Sequence, residues 1–548
     1  MSEKRQCVLI GWDGATFDLL SPWMKSGVLP NLASLCARGS ARKLRSVIPP
    51  VTPAAWTSIL SGMNPGKHGI LDFNEFNATD YLHKDKLINS THVAGNTIFD
   101  LLSERGSTVC SLQMPLTYPA WPINGFMLAG IPNPDDSQSY TYPAGRDVGP
   151  LRPFKMRPGM SYEELYENHC FHIRKLTDIC CDQIRKGHDL VAVYFRESDD
   201  FHHLYWRLLD SGCPGYDAAE AAKIGNPIKS IYGVLDQSLG RILEASGNAN
   251  CFLISDHGGT AIGVRRFYLN VWLAKQGYLK LKQSFLGSLG RLAYTAAKAI
   301  RPWFSWYQLQ KIQGQLGLGQ VAARMRNNTD GVDWESSRAF AILPCGPTVG
   351  IELNVRGRES QGAVNPGAEY ERLRTELIEK LKAIKDSSGN RVVVDAFRRE
   401  EIFSGPYLSR IPDILVSIED GITVRSDFGR DVWGTARASE LRDLSGEHDM
   451  DGIFVAGGSD VDSNGFLPPA SLLDVAPTLL YSLGEPIPQS MDGQVMADIF
   501  HPEFCAVHHP KMGAAREVSV REGQEVYSPE EDAAIRDRLQ ALGYLDPS

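Results

Sequence analysis

Along the chain, short continuous apolar runs end abruptly in polar residues and are followed by longer segments with helical spacing. The runs are Cys7 to Ile10 before G-W-D-G, Leu190 to Phe195 before R-E-S-D-D, Cys251 to Ile254 before S-D-H-G-G, and Ile453 to Ala456. A run without alternation predicts a strand buried on both faces. Ser161 to Lys186, stopping at Gly187, and Pro227 to Ala245 have the helical spacing. Strands alternating with helices predict an α/β protein with a central, mostly parallel sheet and helices on both faces. In such sheets ligands gather beyond the carboxyl ends of the strands. Those ends here carry Asp13, Asp199, Asp256 and His257.

Other segments read as additions to this core. The stretch V47-I-P-P-V-T-P-A-A-W-T-S-I-L-S-G62 places Thr52 before a helical run. Thr52 is either a helix cap, with Pro53 at the first helical position, or a reacting hydroxyl. Residues 120–160, rich in Pro, Gly, Asp and Tyr, predict a long loop or lid within an insertion at 75–160. V-G-I-E-L-N-V-R-G-R and V-V-V-D-A-F predict strands, and Pro366 to Lys385 a helix, within an inserted lobe at 276–435. The core is then 1–275 with 436–548, closing on a helix capped by Ser528 before Pro529 and ended by Gly543.

Length and charge narrow the possibilities. A chain of 548 residues exceeds what one core usually serves. A net charge of -9 argues against general nucleic-acid binding, so no duplex partner is expected. Yet every charged residue from Arg265 to Arg326 is basic. The region predicts a helical insertion with a solvated basic face, its helical segment at 283–330, or alternatively a peripheral contact with anionic membrane through 265–326. The N-terminus shows no cleavable apolar leader, and no window approaches the roughly 18 apolar residues of a membrane span. A cytoplasmic protein is expected. Ten cysteines without a C-x-x-C unit predict reduced thiols.

Three further patterns bear on chemistry. D199-D-F-H-H203 sets a carboxylate and an imidazole on one side of a helical turn. S255-D-H-G-G259 places adjacent Asp and His at a strand exit, and S445-G-E-H448 adds an imidazole before another strand. Carboxylate oxygen and neutral imidazole suit zinc, manganese or iron, and two such ions could hold both oxygens of an in-line displacement at phosphorus. Separate helix caps and salt bridges would explain the same residues.

The order of these motifs resembles the alkaline phosphatase superfamily, and within it the type I phosphodiesterase and nucleotide pyrophosphatase branch. The motifs are Asp in G-W-D-G, Thr in P-V-T-P-A-A-W-T-S-I-L-S-G-M-N-P-G-K-H-G, D-x-x-x-H, S-D-H-G and a late G-x-H. The resemblance implies an alkaline-phosphatase-like sheet and two divalent ions, zinc or else manganese. It implies that Asp13, Asp256 and His257 hold one ion, which also contacts Thr52, and that Asp199, His203 and His448 hold the other. His202 competes with His203, and the family's spacing favours His203. Thr52 is the implied nucleophile, with a phospho-threonine intermediate. Asn74, in L-D-F-N, stands near the family's phosphate-oxygen donor, one residue from a gapless match. Lys67 and His68 read as turn and strand residues.

The chain also departs from its relatives. T-P-A-A-W replaces the T-F-P-N-H of nucleotide pyrophosphatases, so their nucleotide-stacking contacts do not carry over. Residues 52–56 lack the sulfatase nucleophile pattern. The expected substrate is a small phosphate ester, a phosphodiester or nucleotide pyrophosphate. A phosphomonoesterase or phosphomutase on the same core, and a membrane-surface or anion-binding module, remain alternatives. No Arg lies within the five motifs; Arg196 and Arg265 are nearest, and each also reads as a salt-bridge residue.

Overall fold

In the first apolar run, Val8, Ile10 and Trp12 pack into one hydrophobic cluster, and Cys7 and Leu9 into another. Successive residues of a strand point to opposite faces, so both faces of this strand are covered. The computed structural model describes residues 5–75, 81, 86–93, 95–134, 140–146, 148, 151, 160–282, 331–517 and 523–544. The central sheet contains β1 (Cys7–Trp12), β2 (Ser40–Arg45), β3 (Val109–Leu112), β4 (Gly125–Leu128), β5 (Thr141–Tyr142), β6 (Leu190–Phe195) and β7 (Asn250–Ile254). Strand β1 pairs in parallel with β6 on one side and β7 on the other, and β3 continues in parallel between β6 and β4. Asp13, Asp199 and Asp256 therefore all lie beyond the carboxyl ends of three adjacent strands.

Helices cover both faces. The helices used below are α1 (Thr52–Ser61), α2 (Tyr162–Arg185), α3 (Glu197–Tyr205), α4 (Pro227–Ser246), α5 (Ala368–Lys382) and α6 (Pro529–Ala541). Ile173, Leu176 and Cys180 of α2 join Ile231, Leu235 and Leu239 of α4 on the Val8 face. Ala54, Ala55, Trp56 and Ile59 of α1 cover the Leu9 face. Ser161 and Asn226 cap α2 and α4, each accepting from a first-turn N–H, which is why these helices begin where the sequence places polar residues.

The next strands along the chain build smaller sheets beside this one before the last of them rejoins it. They are β8 (Gly258–Ala261), β9 (Arg265–Tyr268), β10 (Ala339–Cys345), β11 (Thr348–Leu353), β12 (Val393–Arg398), β13 (Ile414–Ile418), β14 (Ile422–Arg425), β15 (Trp433–Thr435), β16 (Gly446–Asp449) and β17 (Asp451–Gly457). Strands β10, β11, β13 and β12 make one antiparallel sheet backed by α5. Its core runs from Phe267 to Val424 and includes Leu71 from the first part of the chain. Strand β9 bridges β14 and β15. Strand β17 returns to the central sheet, antiparallel to both β7 and β2.

Two expectations need correction. Residues 120–160 are not only loop, because β4 and β5 lie within them and extend the central sheet. Thr52 does begin its helix, as the first helical residue, but it does not cap it: Val51 is the N-cap residue and Pro53 is the second helical residue, not the first. The helix predicted from Pro366 to Lys385 spans Ala368–Lys382. The basic segment at 283–330 lies outside the described residues. Of its flank, Arg265 pairs with Asp386 at 2.9 Å, Arg266 with Glu440 at 3.1 Å and Lys275 with Asp431 at 2.5 Å. All ten cysteines are free thiols, and no helix among the described residues is long and apolar enough to cross a membrane.

Candidate active site

Beyond β1, β6 and β7 the chain buries three aspartates and three histidines together. Gly14 makes this approach possible: its φ is +66°, and a Cβ there would sit 2.6 Å from Oδ1 of Asp199. On α3, Asp199 and His203 are one helical turn apart, with Asp199 Oδ2 at 3.1 Å from His203 Nε2 and 3.9 Å from His448 Nε2. His257 Nε2 lies 3.3 Å from Asp13 Oδ1 and 3.4 Å from Asp256 Oδ2. The rings of His257 and His448 stack at 3.8 Å. Ligand atoms of Asp199, His203 and His448 fall within 4.8 Å of one another, as do those of Asp13, Asp199 and His257. Asp199 thus belongs to both groups.

The outer nitrogens of the three rings are all occupied by backbone. Nδ1 of His203 donates to Gly446 O at 2.9 Å, Nδ1 of His448 to Pro50 O at 2.8 Å, and Nδ1 of His257 to Gly258 O at 3.0 Å. A carbonyl can only accept, so each ring donates through Nδ1 and turns its Nε2 inward, where those of His203 and His448 lie 3.2 Å apart. This is the outer arrangement that orients histidine on a metal.

The inward-facing atoms are buried without hydrogen-bond partners: Asp13 Oδ1, Asp199 Oδ2, Asp256 Oδ2, His257 Nε2 and Thr52 Oγ1. Burial first, then the neighbouring Asp256 and Asp199, pushes the Asp13 carboxyl well above its ordinary range. Burial would raise Asp199 too, but His203, His448 and His257 hold it well below. Burial and then His257 push His448 far below the usual imidazole value. Crowded carboxylates and imidazole nitrogens, buried together with several of their inward atoms lacking any partner, are unfavourable alone and fit a divalent cation.

Other candidates fall outside this cluster. His202 hydrogen-bonds Tyr232 at 3.2 Å and packs edge-on against Trp206. His68 hydrogen-bonds Ser58 at 2.8 Å and accepts from the Ile70 N–H, while Lys67 pairs with Asp492. Arg196 pairs with Asp200 at 3.3 Å. Asn74 forms an isolated bridge with Leu87, and its amide oxygen accepts from Arg536.

Several residues at the site carry no local sequence signal. Tyr194, on β6, donates to Asp13 Oδ2. Cys345, at the end of β10, puts its sulfur 3.6 Å from His448 Nδ1. Tyr544 lays its ring 5.7 Å from that of His203 and donates to Asp200 at 3.2 Å. Tyr194 could have been suspected because its side chain points to the Leu9 face one turn of pleat before the strand end.

A mostly parallel sheet with a carboxylate and imidazole cluster beyond its strand ends is an architecture suited to a metal-dependent hydrolase. The sequence model of the type I phosphodiesterase / nucleotide pyrophosphatase family matches residues 7–451, and the chain belongs to that family. It is a hydrolase of phosphoesters. No curated protein matches the chain. Phosphonoacetate hydrolase from Sinorhizobium meliloti 1021, solved with phosphonoacetate, is 16% identical with a TM-score of 0.52, over 88% of this chain and 95% of that one. Murine ectonucleotide pyrophosphatase / phosphodiesterase 5, solved with AMP, is 12% identical with a TM-score of 0.48, over 91% of this chain and 100% of that one.

Proposed function

We propose that the protein hydrolyses a phosphodiester or nucleotide pyrophosphate bond in two in-line steps, with Thr52 as the nucleophile. The observation that carries this is the Thr52 hydroxyl: it is buried, without a partner, and not used to cap its own helix. Two residues earlier, the Pro50 carbonyl is bonded to His448, so the entry to α1 is tied to the ligand cluster. Asp13, Asp256 and His257, with Thr52, would hold one divalent ion, and Asp199, His203 and His448 the other; the donor set suits zinc, then manganese. When bound, such ions neutralise charge on phosphoryl oxygens and lower the pKa of a coordinated hydroxyl.

The chain's own residues then have distinct tasks. Thr52 Oγ gives up its proton to solvent as it bonds to phosphorus, the bond from phosphorus to the leaving oxygen breaks on the opposite side, that oxygen takes a proton from solvent, and the phosphoryl group rests on the threonine. Water next attacks that phosphorus from the vacated side, the bond from phosphorus to Thr52 Oγ breaks, and the water's released proton restores the Thr52 hydroxyl. The amino end of α1 favours the negative charge of the transferring group. Asn74, whose oxygen is engaged by Arg536, has its NH2 left to donate to a phosphate oxygen.

The test compares bis-p-nitrophenyl phosphate with p-nitrophenyl phosphate after zinc or manganese loading. Thr52→Ala is expected to lower diester turnover by about three orders of magnitude while still binding metal. Full diester activity in Thr52→Ala sinks the mechanism. Faster monoester than diester turnover would move the assignment to a phosphomonoesterase.

A further inference from the structure

The family match ends at residue 451, yet the last described segment of the chain returns to the site. Helix α6 seats Ile535 and Leu539 against Phe73, Leu87 and Ile131, in a cluster that also holds Leu542 and Tyr544. Leu87 is Asn74's partner in the isolated bridge, and Phe73 immediately precedes Asn74. From this helix Arg536, braced by Asp532 at 2.5 Å, donates to the Asn74 amide oxygen. Past the helix, Gly543 adopts φ +86°, and a Cβ there would lie 3.0 Å from His203 Nδ1. Tyr544 then packs on the His203 ring and donates to Asp200, next to Asp199 on α3.

We infer that residues 529–544 are a positioning element of the active site: Arg536 aims the Asn74 amide, and Gly543 with Tyr544 brace the α3 turn that presents Asp199 and His203. A guanidinium can only donate, so its bond to Asn74 selects the amide orientation in which oxygen faces Arg536 and NH2 faces away. The tyrosine hydroxyl and ring fix one end of α3 against rotation, which would otherwise move both ligand atoms together. Arg536 and Tyr544 touch neither substrate nor metal in this account. The Asn74 arm rests on the phosphoryl-transfer reading above; the α3 arm rests only on metal binding.

Four variants separate these arms: Arg536→Ala, Arg536→Lys, Tyr544→Ala and Tyr544→Phe, each as the full chain. Steady-state kinetics on bis-p-nitrophenyl phosphate are read with zinc affinity by chelator competition and with the thermal midpoint. Arg536→Ala should lose about 10- to 100-fold in kcat/KM at unchanged zinc affinity, with partial recovery in millimolar guanidinium and in Arg536→Lys. Tyr544→Ala should weaken zinc binding about 10-fold or more, and Tyr544→Phe less. Parental kcat/KM in Arg536→Ala overturns the first arm, and parental zinc affinity in Tyr544→Ala the second. Losses that follow the thermal midpoint alone, without guanidinium rescue, overturn both. Should Thr52→Ala prove fully active, the phosphoryl-transfer reading falls while the zinc measurements still judge the α3 arm.

Discussion

Single side chains decide what the site can bind. Asp199 is shared by both ligand groups, whereas His448 belongs to one. On the two-ion reading proposed above, Asp199→Asn should therefore retain less zinc than His448→Ala, as read by metal analysis after dialysis. Equal loss in the two variants would contradict the shared role. His68 answers to a different physics. Burial holds it neutral, with its pKa lowered to about 3. The unfolded chain takes up this proton near pH 6.5 and the folded one does not, so stability is present above that value and declines as pH falls toward 3. At pH 5 the loss from this group is about 2 kcal/mol. His68→Gln should show a smaller drop in urea midpoint between pH 7 and pH 5 than the parent; an identical drop would exclude the assignment.

At the scale of elements, the sequence was legible where periodicity was local. The D-x-x-x-H spacing lies on α3 and brings Asp199 and His203 together, and the strand ends gather Asp13, Asp256 and His257. What was hidden depends on contacts between distant segments. Strand β4 is four residues long inside a Pro- and Gly-rich stretch, too short for its pattern to outweigh the composition. The turn between β10 and β11 also gave no sign that it reaches the ligand cluster. Gly346 in that turn has φ +53°, and a Cβ there would press on the backbone carbonyl of His448. Gly346→Ala should cost about 1–3 kcal/mol and lower zinc affinity, measured by thermal unfolding and chelator competition. Unchanged affinity would mean the turn does not set the His448 position.

For the molecule as a whole, the limits of the family match do not coincide with the limits of the fold. Strand β17 begins at Asp451 and lies between β7 and β2, and Leu479 and Leu480, later still, are buried in the cluster containing α1. A chain ending at residue 451 would leave β2 without its neighbour and uncover the Leu9 face. It should be recovered as aggregate and give no cooperative unfolding transition. A soluble, cooperatively unfolding fragment would refute this.

The hydrogen bond from His448 to Pro50 joins residues 398 positions apart. During synthesis at 5–20 residues per second, the Pro50 carbonyl precedes its partner by roughly 20 to 80 s. For that interval Asp13 and Thr52 exist in a growing chain that lacks His203, His257 or His448 in turn. On the metal-dependent reading proposed above, the full ligand set is therefore completed late in the life of each new molecule, and an ion gathered earlier by part of it must survive the arrival of the rest.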